Sequence, residues 1–200
     1  MKNNKNMTDD EKIKIIINSL ENMALCDIKK AIHGKCKMGA FILCSCLIDA
    51  IAGFIKGSDT RKPDYKNFVN DFLINYNGTK LYKDLRCKLV HSYSEGGTYL
   101  FTDNHSELHL KKDKSNKIII NLENFVDEIE EALNTFKKNI LDKTKIIERE
   151  NAINRFDNNG VIMVQPESSI AVLINKIAPG EPIEELPSET IATSGSLKIK

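Results

Sequence analysis

Residues 38–55 read MGAFILCSCLIDAIAGFI, an apolar run near the minimum length for crossing a bilayer. The run carries Asp49, Ser45 and two glycines. A lone carboxylate is costly in lipid, so the run reads as a helix buried at the centre of a soluble bundle. That choice makes the chain mainly α, and no membrane is expected to be a partner.

On the N-terminal side, Thr8-x-x-Glu11 is a capping box with Asp9 and Asp10 in the first turn. Ile13, Ile16, Ile17, Leu20, Met23 and Ile28 follow at helical spacing, giving a first helix over about 9–32 with Gly34 as its stop. The central helix spans about 36–56 and closes at Gly57. After the loop GSDTRKP, Pro63 opens a third helix over about 64–76, with Tyr65, Phe68, Val69, Phe72 and Leu73 inward. Asn77-Gly78 reads as its stop, and Thr79 as the N-cap of a fourth helix.

The fourth helix contains Leu81–Tyr93, LYKDLRCKLVHSY, and puts Leu81, Leu85 and Leu89 on one face. Short β-prone stretches follow at 98–102, 107–111 and 117–120, which predict a small antiparallel insert over about 98–120. Asn121 caps a fifth helix over about 122–152. Beyond Asn154, DNNG reads as a turn, and Val161–Val164 and Ile170–Ile174 read as short strands. From Ala178 the chain is rich in Pro, Glu, Ser and Thr, the composition of a mobile tail. The expected organisation is a helical domain over 1–153 and a partly extended C-terminal extension over 154–200.

Two hundred residues suit one domain, and 41% apolar content is enough for a core. A net charge of +1 provides no global field toward nucleic acid or membrane, so attraction to phosphate has to be local. Lys80, Lys83 and Lys88 supply that local charge around Arg86, against the single acid Asp84. The five cysteines are odd in number and lack C-x2-C spacing; Cys44 and Cys46 read as small buried hydrophobes. The start, MKNNKNMTDDEK, has no signal-peptide apolar region, so a reducing cytoplasm is the expected location.

Arg86 and His91 carry the chemistry. Cutting RNA with its own 2′-hydroxyl needs a base, an acid for the departing 5′-oxygen and a fixed positive group for the phosphate. Histidine titrates near neutral pH and serves as base or acid. Arginine stays charged and offers a planar fork of donors. Neither a metal nor another cofactor is required by this chemistry. Five residues along an unbroken α-helix turn by about 140°, so the two side chains would not share a face. Either the helix ends or bends near Val90, or a symmetric dimer pairs two Arg/His sets. The plain structural alternatives are that His91 caps the helix end and that Arg86 partners Asp49 or Asp84.

Arg86-x4-His91 in a helical domain resembles the Arg-x4–6-His motif of the HEPN superfamily, and the likeness covers about residues 9–152. Cys87 stands where a polar residue, often Asn, is more common. The longer form Arg-x4-His-x-Tyr, through Tyr93, resembles the HEPN toxins whose nucleotidyltransferase antitoxin modifies the tyrosine. The resemblance implies a HEPN-like helical bundle and a homodimeric, metal-independent endoribonuclease with RNA as substrate. It assigns Arg86, His91 and Tyr93 to the catalytic site, Lys80, Lys83 and Lys88 to RNA binding, and Asp49 to a supporting role. A toxin or antiviral effector with an antitoxin partner is the implied setting. The alternative is a non-catalytic HEPN-like module that binds a protein, RNA or nucleotide.

The remaining histidines fit other roles. His105 and His109 are expected near a solvent face of the insert, and His33 at the end of the first helix. KKDKSNK at 111–117 reads as a solvated turn, and Asp127, Glu128, Glu130 and Glu131 as the wet face of the fifth helix.

Overall fold

A computed structural model describes residues 7–94 and 96–161. The strands expected at 161–164 and 170–174, and the tail, lie almost wholly outside them. The described chain is mainly helical. Its first helical stretch comprises α1 (Asp9–Asn18), a π-helical segment (Ser19–Leu25) and α2 (Cys26–His33). The expected capping box is present: Glu11 N–H donates to Thr8 Oγ1, and Thr8 N–H donates to the Glu11 carboxylate.

Helix α3 (Lys37–Lys56) is the bundle's axis, packed against α2, α4 (Lys62–Phe72), α7 (Leu122–Leu141), α8 (Ile146–Asn159) and the motif segment. By length and composition it is also the one helix among the described residues apolar enough to cross a membrane. Here it packs within the bundle, with Phe41, Cys44, Ile48 and Ile51 wholly buried. Gly57 ends it at φ 84°, a left-handed conformation that glycine adopts without strain. Cys46 departs from expectation: it lies on the open face of α3, whereas Cys44 is buried.

Helix α4 (Lys62–Phe72) starts earlier and ends earlier than its pattern predicts. Asn77, not Thr79, caps the following helix by accepting from Lys80 N–H, so Gly78 opens α5 (Gly78–Leu81) and does not close α4. A second π-helical segment (Tyr82–Leu89) and α6 (Val90–Ser92) complete the motif helix.

The two strands, β1 (Tyr99–Thr102) and β2 (Ile118–Asn121), are parallel and not antiparallel, with Tyr99 opposite Ile118. A parallel pair needs a crossover, and residues 103–117 form it. The stretch 107–111 is no strand: it makes a 3-10 turn (Ser106–Leu108) and a left-handed Leu110 inside the crossover, after which Lys112 forms an isolated antiparallel bridge to Ile118. Within it, His109 is mostly buried, not solvent-facing. Its Nδ1 accepts from Asn121 N–H, and its Nε2 meets the Tyr76 hydroxyl, which donates to Glu128. Glu128 is thus a partner in a polar network and not simply part of a wet face.

Asn121 caps α7 (Leu122–Leu141) as expected. The long fifth helix is in fact two. Asp142 Oδ1 accepts from both the N–H and the hydroxyl of Thr144, a local alternative to helical bonding, and the chain restarts as α8 (Ile146–Asn159). Helix α8 runs through the 153/154 boundary and through most of DNNG, packing Ala152 and Phe156 into the core beside α1 and α3.

Candidate active site

Winding decides the site. In the segment Tyr82–Leu89 the backbone bonds reach one residue further than in an α-helix; Val90 N–H donates to Leu85 C=O. Residues five apart therefore stand one above the other. Arg86 and His91 are five apart, and Arg86 Nη1 lies 2.8 Å from His91 Nε2. As expected, the helix changes near Val90, passing from π- to α-winding there and ending at Ser92, and a single chain brings the pair together.

A guanidinium only donates, so His91 Nε2 is the acceptor, and the contact belongs to the neutral ring with its proton on Nδ1. On the other side Arg86 Nε donates to Asp49 Oδ2 at 2.5 Å. Of the two acids named from sequence as partners for Arg86, it is Asp49 that binds it. Burial pushes the Asp49 carboxyl upward; the Arg86 guanidinium pulls against this without cancelling it. Burial also works against the Arg86 charge, but Asp49 more than restores it. The Cys46 thiol, one helical turn away, is pushed up by partial burial and then by Asp49.

Asp84 has a separate task. It is 1% exposed and accepts from the N–H groups of Thr98 and Tyr99 at 2.7 and 2.9 Å. It thereby ties the chain after the motif to the start of β1. A Cβ at Gly96 would stand 1.9 Å from Asp84 Cγ, so only glycine fits beneath this carboxylate.

Lys80, Lys83 and Lys88 are exposed, and none forms an ion pair with the described residues. Tyr93 ends α6 in a left-handed conformation at φ 45°, with 70% of its surface exposed. Among the described residues, no hydrogen bond joins it to Arg86, His91 or Asp49. The structure therefore assembles three of the residues named from sequence, Asp49, Arg86 and His91. It leaves Tyr93 and the lysines around them.

Next to Asp49 an open groove of about 330 Å³ is lined by Cys46, Ala50, Asp59, Thr60 and Arg155. Arg155 was not legible as a site residue, because it falls where the composition begins to change and belongs to no motif. It donates to Ser58 C=O at 2.7 Å and to Asp59 at 3.2 Å. Among the described residues no three His, Cys, Asp or Glu side chains gather as metal ligands would. Compared with known proteins, the chain matches no family model, no curated protein and no solved structure.

Proposed function

We propose that the chain is a metal-independent endoribonuclease of HEPN type that cuts RNA by attack of the 2′-hydroxyl on the adjacent phosphate. The observation that carries this reading is the contact of Arg86 Nη1 with His91 Nε2, held from behind by Asp49. A phosphodiester entering the site takes the Arg86 donors and frees the His91 lone pair. His91 Nε2 then accepts the 2′-hydroxyl proton, the O2′–P bond forms and the P–O5′ bond breaks. The products are a 2′,3′-cyclic phosphate and a 5′-hydroxyl. Arg86 stabilises the extra charge on the pentacoordinate phosphorus. In the homodimer that the resemblance implies, a second His91 protonates the leaving oxygen. Lys80, Lys83 and Lys88 hold the flanking strand, and an antitoxin partner acts at the exposed Tyr93.

Purified protein in EDTA should cleave RNA, and Arg86→Ala or His91→Ala should lower the rate by at least about a hundredfold. Cleavage that is equal in all three proteins overturns the reading. A second reading, binding of RNA, a nucleotide or a protein without cutting, is favoured by the Asp49–Arg86 pair, which offsets the guanidinium charge. RNA binding with no cleavage in any of the three proteins selects it.

A further inference from the structure

Beside the groove lies a deeper cleft of about 490 Å³ between the first π-helical segment, α3 and the end of α8. Its volume falls within the range of small-ligand sites, and its walls are mainly apolar, from Leu20, Met23, Leu43, Leu47 and Phe54. Cys46, Ala50 and Arg155 line both the cleft and the groove, so the cleft continues the surface that begins at Asp49.

Arg155 stands where the two meet, and it is held rigidly. Its guanidinium lies 5.4 Å from the centre of the Phe54 ring. A Cβ on Gly53 would come within 2.5 Å of Arg155 Cζ, so the bare backbone there is what lets the side chain lie flat on α3. A fixed guanidinium plane over an aromatic ring is a surface on which an unstacked base of single-stranded RNA can rest.

Of the polar residues that line the cleft, Ser19 is buried, Asp27 is exposed and pairs with Lys30, and Asn159 donates to Asp59, so the interior offered to a ligand is mainly apolar.

We infer that this cleft is a nucleobase pocket, taking one unpaired base of the bound strand while Arg155 holds a neighbouring phosphate where the cleft meets the groove. The inference rests on the nuclease reading and deepens it: phosphate contacts position the strand, and a base can enter the cleft only from single-stranded RNA.

The test uses the full chain and fluorescein-labelled 2′-O-methyl hexamers, which have no 2′-hydroxyl to attack. Binding is read by fluorescence anisotropy for A6, C6, U6 and an abasic hexamer. A6, C6 and U6 should each bind about tenfold more tightly than the abasic hexamer. Ala24→Phe, which fills the cleft, should bring A6 to the abasic level, and Arg155→Gln should weaken all four. A6 should also slow alkylation of Cys46, which lines the cleft, but not of Cys36, which is likewise exposed and does not, a measurement on the unaltered chain. Equal binding of A6 and the abasic hexamer, or unprotected Cys46, overturns the pocket. If cleavage still depends on Arg86 and His91, the nuclease reading survives that result. If no hexamer binds, the pocket and RNA recognition fall together.

Discussion

Asp49 is one carboxylate with two demands on it: burial favours its neutral form and Arg86 its charged form. Because its folded-state pKa is raised, the folded chain holds more protons on Asp49 than the unfolded chain between the ordinary carboxylate value and the raised one. Across that window this group makes stability fall as pH rises. Carboxylates such as Asp64, lowered by Lys56 and the Arg61 N–H against the pull of burial, make it rise. Asp49→Asn should therefore remove a downward slope, so the variant gains on wild type as pH increases through the window. Urea midpoints at a series of pH values, taken as the difference between the two proteins, check this. The same variant removes the charge that holds Arg86, so cleavage should fall even where stability does not.

Among the elements, the two π-helical segments are the feature no residue pattern announced. Leu81, Leu85 and Leu89 recur every fourth residue and read as an ordinary α-helix. Nothing in that stripe marks a turn that holds one more residue. The consequence can be tested by length. Deleting Lys88 should return the turn to α-helical winding and place His91 four residues from Arg86, where side chains again face each other. Activity should survive that deletion better than it survives Arg86→Ala; loss to the Arg86→Ala level counts against the winding argument. Asp84 is the other constraint on this element. Asp84→Ala leaves the buried Tyr99 N–H and the partly buried Thr98 N–H without their acceptor and should cost about 2–4 kcal/mol, measured by urea unfolding.

Across the whole molecule, what was legible in the sequence was what periodicity and capping encode. The capping box at Thr8, the central place of α3 and the Asn121 cap follow from apolar spacing and side-chain chemistry, and all three are present. What was not legible depends on partners distant in sequence. The strands at 99–102 and 118–121 look like a meander, yet they pair in parallel, and the crossover between them carries His109 into a network with Tyr76 and Glu128. The break at Asp142 has neither Gly nor Pro to mark it. Arg155 gains its meaning only from Gly53 and Phe54 on another helix. The core that joins these parts is centred on Phe41, whose ring lies 4.9 Å from Phe101 and 6.1 Å from Phe125. Phe41→Ala should cost about 3–5 kcal/mol, read as a lower urea midpoint by circular dichroism.

Tyr93 ends the motif helix in a backbone shape that suits glycine and costs another residue about 1 kcal/mol or more. It wins little from packing in return, since most of its ring faces water. Tyr93→Gly should therefore melt no lower than the native chain, and by this reckoning somewhat higher. An aromatic kept there at the expense of thermal resistance has its reason outside the fold, in whatever meets that ring from solution.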